Sequence, residues 1–534
     1  MSVLHFKLPA VLILSCFFVL GCESSKEESE KAEQPNILFA ISDDQSYPYT
    51  SILGSRTVHT PRFDAVARKG VLFHNVFCAA PQCSPNRAAI LTGKNIWQLE
   101  EAGTHASYFP AKFAVFTDVL EKGGYELGYT GKAWGPGNWK DAGRARNPVG
   151  PEYNDLQFDE VPAQGISRNN YAANFAAFLD QRDANQPFFF WFGAFEPHRV
   201  YEEESGLRSG KSLDDADVPP FLPDVPEIRS DVIDYGVEIE WFDTQLGKMI
   251  DRLDQMGELE NTIIIITSDN GMAFPAAKAN LQEYGIHVPL AICGPGISSG
   301  LESEDLVSHI DLAPTILDLA KVPAMEMISG MSFLSILTGQ SDRYTAREWI
   351  VAGRERHTHA RPDNLGYPAR AIRTHDYLYI HNLKPDLWPA GDPEIDEVIK
   401  RDDGSEEIVT KAGYFDIDAS PSKSYLLDHQ AEFPAEFQLG FGKRPAEQLY
   451  AIDSDPGCLV NLAANSSYED IRKRLKSSLE EILLSEGDPR ITGEGNVFDS
   501  YPRMSPMRNF PGFKERGQYN PEFMPQQSKN PSQD

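Results

Sequence analysis

Residues 36–44, NILFAISDD, carry the strongest structural signal in the chain. Their apolar side chains lack the three-to-four-residue spacing of an amphipathic helix, so the run predicts a strand buried on both faces, as in a parallel sheet. The strand ends where Ser42, Asp43 and Asp44 begin. Three later runs have the same form: residues 126–130 stop at Gly131 and Lys132, residues 187–195 (PFFFWFGAF) at Glu196, Pro197 and His198, and residues 262–267 (TIIIIT) at Ser268, Asp269 and Asn270.

Helical segments separate these strands. Thr60 and Pro61 predict a helix that begins there and continues to residue 68, and Ser84 as N-cap with Pro85 predicts another over 86–91. Residues 230–256 carry apolar side chains at roughly helical spacing. The alternation predicts an α/β fold with a large mixed, mostly parallel sheet sandwiched by helices. In such sheets ligands bind beyond the carboxyl ends of the strands, which is where the polar residues cluster.

The amino-acid composition limits the classes of fold and function that are possible. The chain has 534 residues, a net charge of -30 and 41% apolar residues, which is enough for a large core and a smaller second unit. Such acidity excludes a general nucleic-acid binder, because phosphate backbones require a basic surface. Shorter β-like runs at 349–352, 371–374 and 377–381, with a late helix at 468–484, predict a smaller C-terminal α+β subdomain.

The N-terminus resembles a bacterial lipoprotein signal. Lys7 precedes an apolar run over 8–20 that is short for a membrane span, and the run leads into Val19-Leu20-Gly21-Cys22. The resemblance implies acylation of Cys22, a lipid anchor in the membrane and a location in the bacterial cell envelope. An ordinary secretory signal or an N-terminal anchor helix is the alternative. Residues 23–34 are almost entirely polar and predict a solvated tether.

Oxygen-bearing side chains follow two of the predicted strands. Asp43 and Asp44 follow the first, and Asp269 and Asn270 follow the last. Three carboxylates and an amide oxygen suit a hard divalent cation, so we expect Ca²⁺, with Mg²⁺ as the alternative. Either pair alone is more typical of a helix cap or a solvated turn.

Residues 83–93, CSPNRAAILTG, contain the most specific motif in the chain. They match the C-x-P-x-R-x-x-x-x-T-G signature and resemble the type I sulfatases of the alkaline phosphatase superfamily. The resemblance implies that a separate formylglycine-generating enzyme oxidises Cys83 to Cα-formylglycine, whose hydrate attacks sulfur while the cation activates it. Cys83 then also becomes a metal ligand, and Arg87 lies beside the anion.

Other positions follow the same family pattern. Gly131-Lys132-Ala133-Trp134 resembles the family's G-K-x-H segment and implies that Lys132 contacts sulfate, although Trp134 replaces the family histidine. Pro197-His198 implies that His198 is the general acid, and Lys278 corresponds to a sulfate-binding lysine. Within the family, the chain looks most similar to the branch of heparan N-sulfatase and its bacterial polysaccharide-degrading relatives.

A basic run in the C-terminal part is the candidate for substrate binding. Arginine forks suit sulfate and uronate carboxylates, and a solvated loop with local salt bridges is the alternative. The predicted contacts are Arg354, Arg356, His357, His359 and Arg361, followed by Arg370 and Arg373.

Together these features predict a lipid-anchored sulfatase that removes sulfate from a sulfated oligo- or polysaccharide. Two alternatives stay open: a phosphatase or phosphonate monoester hydrolase of the same superfamily, and a lipoprotein that binds sulfated glycan without turnover. The predicted domains are a signal at 1–21, a tether at 22–34, a catalytic domain at 35–340, a C-terminal subdomain at 341–500 and an irregular tail at 501–534.

Overall fold

The computed structural model describes residues 1–2, 34–340, 347–362 and 365–504. The predicted lipidation site Cys22 lies outside these ranges, as do nearly all of the predicted signal and tether and the tail from residue 505 on. No helix within the described ranges is long and apolar enough to cross a membrane. The described residues from Pro35 onward belong to one compact unit.

A mixed sheet forms the larger part of this unit. Within the described residues it has seven strands in the order β3-β4-β1-β5-β6-β2-β7, all parallel to their neighbours except β6. The mostly parallel α/β sheet predicted from the sequence is therefore confirmed. The strands are β1 Asn36–Ser42, β2 Val71–Phe77, β3 Glu126–Gly131, β4 Phe188–Gly193, β5 Thr262–Ser268, β6 Leu290–Cys293 and β7 Leu301–Ser308.

Helices cover both faces of this sheet, so the central strand has no polar face. Ile37, Phe39 and Ile41 pack into one apolar layer, whereas Leu38 and Ala40 pack into the layer on the opposite face. This double burial explains why β1 shows no alternation of polar and apolar residues. The helices are α1 Pro61–Lys69, α2 Cys83–Thr92, α3 Phe116–Lys122, α4 Tyr171–Gln181, α5 Ser205–Arg208, α6 Pro226–Gln255, α7 Glu283–Ile286, α8 Leu312–Leu319 and α9 Leu334–Leu337.

The C-terminal part contains a second sheet, as predicted. Strands β8 Ile350–Arg354, β9 Ala369–Arg373, β10 Tyr377–Asn382 and β13 Glu447–Ala451 form an antiparallel sheet in the order β13-β10-β9-β8. A separate hairpin pairs β11 Glu394–Lys400 with β12 Glu406–Ala412. The remaining helices are α10 Pro421–Asp428, α11 Pro434–Phe441, α12 Glu469–Ser485, α13 Pro489–Thr492 and α14 Val497–Ser500.

Helix α2 begins earlier than the sequence predicts. Gln82, and not Ser84, occupies the N-cap, so Cys83 is the first helical residue. Ser84 is buried and its hydroxyl accepts a hydrogen bond from Ala106 N instead of capping the helix. Gly93 ends the helix in the left-handed conformation, with φ of 65°. The early start places the Cys83 side chain at the positive end of the helix dipole.

Candidate active site

The acidic cluster results from the register of two neighbouring strands. Strands β1 and β5 are parallel and Ser42 lies opposite Ser268, so the residues that follow them emerge side by side. Asp44 N donates a hydrogen bond to Asp269 Oδ1 at 3.1 Å. Asp43, Asp44, Asp269 and Asn270 are all buried. The two pairs, each predicted to follow a strand, therefore meet at one edge of the sheet.

Cys83 joins these carboxylates. Its thiol donates to Asp43 Oδ1 at 3.4 Å, and ligand atoms of Cys83, Asp43, Asp44 and Asp269 all lie within 4.8 Å of one another. Asn270 Oδ1 is buried and has no hydrogen-bond partner among the described residues. Three buried carboxylates and one unpartnered amide oxygen match the donor set of a hard divalent cation. The residues present therefore fit a Ca²⁺ or Mg²⁺ site.

Arg87 lies on the same helix, one turn after Cys83, and is completely buried. Its Nε donates to Asp269 Oδ2 at 2.7 Å and its Nη1 to the carbonyl of Lys132 at 2.7 Å. Burial alone would lower the pKa of this guanidinium, but Asp269 and Asp43 raise it. The buried Nη2 has no partner among the described residues, so one donor of a fixed positive charge is free to bind an anion.

Lys132 follows strand β3 and completes the cluster on the side of Asp43. Its Nζ donates to Asp43 Oδ2 at 2.5 Å. Burial alone would raise the pKa of Asp43, but Lys132 and its other cationic neighbours hold that pKa below its ordinary value. Burial alone would lower the pKa of the Lys132 ammonium group and favour the neutral amine. Asp43 raises this pKa, so the group stays protonated. Lys132 is thus a permanent cation beside Cys83.

Lys278 occupies the opposite side of the cluster. Its Nζ donates to Asp44 Oδ2 at 2.7 Å and to Asp418 Oδ2 at 3.0 Å, and it lies 3.0 Å from His198 Nε2. Although burial opposes its charge, Asp418 and Asp44 raise its pKa well above the ordinary value. His198 Nδ1 lies 2.7 Å from the carbonyl of Arg199. A carbonyl only accepts, so His198 carries a proton on Nδ1 and accepts from Lys278 at Nε2.

Charge balance shows what this arrangement can attract. Three carboxylates, Asp43, Asp44 and Asp269, face three cations, Arg87, Lys132 and Lys278. Asp418, which also contacts Lys278, adds a fourth carboxylate, so the groups together carry one net negative charge and a bound divalent cation would make the site positively charged. Burial and Asp43 raise the pKa of the Cys83 thiol well above its ordinary value. Unmodified Cys83 is thus a thiol at neutral pH and a poor nucleophile.

A cavity of about 670 Å³ opens onto Cys83, and Asp43, Lys132 and His198 also line it. Its walls are largely apolar and include Trp134 and Phe195.

Trp134 forms a structural wall of this cavity. Its Nε1 donates to the carbonyl of Ser84 at 3.1 Å, and its ring packs edge-on against Phe109 at 5.0 Å. A Cβ on Gly137 would lie 2.4 Å from this ring, so the glycine is required for the tryptophan to fit. The indole therefore supplies shape and a buried hydrogen bond where the family histidine supplies a titratable group.

His105 lines the same cavity and was not singled out from the sequence. Its Nδ1 lies 3.1 Å from the carbonyl of His357, so this nitrogen carries the proton. Burial lowers the pKa of His105 well below its ordinary value, and the ring is neutral at pH 7. No motif surrounds His105 or Asp418, so only the three-dimensional structure brings these two residues to the site.

The basic run predicted to bind the sugar lies in the interior, and its burial does not fit that role. Arg354 and Arg361 both donate to Asp416, and His357 Nδ1 lies 3.7 Å from the same carboxylate. Arg356 donates to backbone carbonyls and to Thr104 Oγ1. His359 is buried as well, Arg370 pairs with Glu355 and Asp488, and Arg373 pairs with Glu283. Arg354, Arg361, Arg370 and Arg373 thus each neutralise a buried carboxylate, whereas Arg356 donates to neutral acceptors.

The site combines a buried acidic cluster that fits a divalent cation with three cationic side chains, at the carboxyl edge of an α/β sheet. This combination is typical of a hydrolase that acts on esters of anionic groups. Comparison with known proteins narrows this class. Residues 35–322 match the family described as Sulfatase, and residues 277–409 match the family described as N-sulphoglucosamine sulphohydrolase, C-terminal. The chain belongs to the sulfatase family and is a sulfuric ester hydrolase.

Curated relatives match over nearly the whole chain. An ulvan-active sulfatase of Formosa agariphila is 26% identical over 539 residues, which cover 95% of this chain and 96% of that protein. Human N-sulphoglucosamine sulphohydrolase is 28% identical over 530 residues, covering 90% and 96% of the two chains. The similarity to N-sulfatases expected from the sequence is therefore confirmed.

Solved structures share the fold. A protein in complex with its substrate D-glucosamine-2-N,6-O-disulfate is similar with a TM-score of 0.59 and 19% identity, over 85% of this chain and 99% of the other. The phosphonate monoester hydrolase of Agrobacterium radiobacter is similar with a TM-score of 0.57 and 18% identity, over 86% and 97%.

Proposed function

We propose that this sulfatase removes sulfate groups from a sulfated glycan, with Cys83 converted to formylglycine and a divalent cation bound beside it. The observation that carries the proposal is the position of the Cys83 side chain. It lies within 4.8 Å of carboxylate oxygens of Asp43, Asp44 and Asp269, at the positive end of α2, and it lines the cavity. A thiol with a raised pKa has little chemistry of its own there.

Asp43, Asp44, Asp269 and Asn270 would hold the cation, and Cys83 after its conversion would face it. A divalent cation at this position lowers the pKa of a bound hydroxyl and polarises a sulfate oxygen. The protein's own contribution is orientation: Arg87, Lys132 and the register of β1 and β5 fix the carboxylates before substrate arrives. Such preorganised charge is effective because the carboxylates and their cationic partners are largely buried, where electrostatic interactions are stronger than in water.

Lys132 and Arg87 are placed to bind the anionic part of the substrate. Both remain charged although buried, and both contact the carboxylate cluster on the side of Cys83. The free Nη2 of Arg87 adds one donor. Binding of a sulfate group by these cations neutralises the charge that develops as the S–O or S–N bond breaks.

His198 and Lys278 form the pair that supplies a proton to the leaving atom. His198 Nε2 and Lys278 Nζ lie 3.0 Å apart, and the His198 side chain is 35% exposed at the cavity. The protonated amine of Lys278 can pass a proton to Nε2, from which it reaches the substrate. A sugar hydroxyl or amine needs this assistance because its conjugate base is a poor leaving group.

The substrate class rests on the relatives. The similar proteins include sulfatases described as acting on ulvan and on N-sulphoglucosamine, so a sulfated polysaccharide or its oligosaccharides is the substrate proposed here. The signal-like N-terminus with Cys22 supports a lipid-anchored enzyme in the bacterial cell envelope, where extracellular polysaccharides are degraded.

Mass spectrometry tests the modification. Protein produced together with a formylglycine-generating enzyme should contain a peptide with Cys83 that is lighter by about 18 Da than the unconverted one. Cys83→Ser, produced in the same way, serves as the control. An unmodified Cys83 in fully active enzyme would contradict the proposal.

A substrate panel tests the reaction. Converted enzyme is incubated with N-sulfated, 2-, 3-, 4- and 6-O-sulfated sugars, with the corresponding phosphate esters and with a phosphonate monoester, and released sulfate, phosphate and alcohol are measured. We expect sulfate release from at least one sulfated sugar at a higher kcat/KM than any phosphate or phosphonate reaction. Faster release from the phosphate esters or the phosphonate would favour the alternative hydrolase activity. Tight binding of sulfated sugars without release of sulfate by the converted enzyme would favour a glycan-binding protein.

A further inference from the structure

Asp418 stands beside the catalytic pair without belonging to the acidic cluster. It lies between β12 and α10, in the C-terminal part of the chain. One carboxylate oxygen, Oδ2, accepts from Lys278 Nζ at 3.0 Å, and Oδ1 makes no hydrogen bond to any described residue. The side chain is 31% exposed, in contrast to the fully buried Asp44 on the other side of Lys278.

Asp418 and His198 lie close enough to contact neighbouring groups of one sugar. One carboxylate oxygen of Asp418 lies within 4.8 Å of a ring nitrogen of His198 and of an oxygen of Asp44. An atom that leaves sulfur at hydrogen-bond distance from His198 Nε2 has its neighbour on the next ring carbon about one hydrogen-bond length away. That neighbour comes within reach of the Asp418 carboxylate, whose side chain is 31% exposed. A carboxylate only accepts hydrogen bonds, so the matching group is a donor such as a hydroxyl.

Charge makes this position selective. Nearby cations hold the pKa of Asp418 below its ordinary value, although burial opposes this, so the group is an anion at neutral pH. Lys278, the cation that Asp418 contacts, is already shared with Asp44. A second sulfate on the neighbouring carbon would bring an anion against Asp418, and like charges at short distance repel strongly in a partly buried site.

We propose that Asp418 is a specificity-determining residue that accepts a hydrogen bond from the free hydroxyl next to the scissile sulfate and excludes sugars sulfated at that neighbouring position. The inference deepens the sulfatase function proposed above and rests on it. It assigns the substrate class as glycan residues in which the sulfate to be removed has an unsulfated neighbour. A vicinally disulfated sugar would become a substrate only after another sulfatase had removed the neighbouring group.

Binding to an inactive variant tests this assignment. The monosulfated sugar hydrolysed fastest in the panel above is prepared in three forms, in which the neighbouring hydroxyl is free, replaced by hydrogen or sulfated. Calorimetry with Cys83→Ser protein in Ca²⁺ should show that the free hydroxyl form binds about 10-fold or more tightly than the other two, as expected for a hydrogen bond to a charged group. Asp418→Asn in the same background should reduce the discrimination against the disulfated form to within about 3-fold.

Controls separate this role from a structural one. Glu203→Gln, an exposed carboxylate outside the cavity, should leave all three affinities unchanged. In converted enzyme, Asp418→Asn should raise KM for the sugar with a free hydroxyl more than KM for nitrophenyl sulfate, which has no neighbouring hydroxyl. Equal losses on both substrates, or unchanged discrimination in Asp418→Asn, would overturn the specificity role while leaving the sulfatase function intact. If the converted enzyme released no sulfate from any sugar, the proposed function itself would fail.

Discussion

At the scale of single residues, the Asp269 carboxylate serves both the proposed cation site and Arg87. This carboxylate belongs to the proposed cation site and also accepts from Arg87 Nε at 2.7 Å. Burial and Asp43 raise its pKa, whereas Arg87 and Lys132 lower it, so nearby positive charge favours the ionised form of Asp269.

Asp269→Asn should therefore lose the bound divalent cation and reduce sulfate release by about 10³-fold, the size expected when a preorganised charge is removed from a catalytic site. Metal content per protein, measured by elemental mass spectrometry, and steady-state kinetics check this. Asp254→Asn, an exposed residue at the end of α6, is the matched control. Retention of a full equivalent of metal by Asp269→Asn would argue against this ligand assignment.

His198 and Lys278 should behave as one unit. His198→Ala should reduce kcat for a sulfated sugar by about 10²-fold or more and affect nitrophenyl sulfate far less, because only the sugar needs a proton as it leaves. Residues that share a proton are coupled, so the double variant His198→Ala/Lys278→Ala should lose less than the product of the two single losses.

Kinetics of the wild type, both single variants and the double variant on both substrates measure this coupling. Losses that multiply would show that the two side chains act separately. In that case the 3.0 Å contact between His198 Nε2 and Lys278 Nζ has no role in catalysis.

The sequence alone could suggest Cys83, Arg87, Lys132, His198 and Lys278 as site residues because they lie in motifs that resemble the sulfatase family, and the structure places them around one acidic cluster. It could not identify Asp418, which follows a hairpin in a region without periodic pattern. It also could not decide the role of the basic run at 354–361. A dense cluster of arginines predicts either an anion-binding surface or an internal ion-pair network, and only the position of Asp416 decides between them.

At the scale of secondary-structure elements, burial on both faces made the strands predictable. Strands β1, β3, β4 and β5 lie within two residues of their predicted bounds because their apolar runs are continuous. β6 has only four residues, and β7, at the edge of the sheet, reads LESEDLVS with exposed polar positions. Such strands depend on their neighbours in the sheet and carry little periodic signal of their own.

Asp416 connects two segments of the C-terminal part. It lies after β12 and accepts hydrogen bonds from Arg354, Arg361 and the hydroxyl of Thr358. Asp416→Asn should lower the free energy of unfolding by about 3–5 kcal/mol, because it leaves two buried guanidinium groups without their carboxylate.

Urea unfolding followed by fluorescence measures the effect, with the exposed Asp402→Asn as control. A loss of stability no larger than that of the control would mean that the arginines find other partners in the interior.

At the scale of the whole molecule, buried neutral histidines make stability depend on pH. Burial lowers the pKa of His309 and that of His357 to about 3, whereas a histidine in the unfolded chain titrates near 6.5. Below pH 6.5 these histidines bind protons in the unfolded chain but not in the folded protein. Stability therefore falls as the pH falls from about 6.5 towards about 3, by roughly 1.4 kcal/mol per histidine at pH 5.5.

His309→Gln should show a smaller loss of stability between pH 7.5 and pH 5.5 than the wild type, by roughly 1.4 kcal/mol. Urea unfolding at the two pH values measures this difference, and the exposed His375→Gln should keep the wild-type pH dependence. If His309→Gln and the wild type lose equal stability, His309 is already protonated in the folded protein at pH 5.5.

The contact between Asp418 and Lys278 has a consequence for how such enzymes diversify. Lys278 comes from the part of the chain that carries the metal site, whereas Asp418 comes from the part that follows the hairpin. A chimera that joined residues up to 340 of this chain to the C-terminal half of a relative would keep Lys278, but the relative's half would have to supply the carboxylate that contacts it. Recombination could then produce an enzyme with a new substrate preference only if the new C-terminal half also carries a carboxylate at the position of Asp418. We therefore expect the two halves to be inherited as one unit.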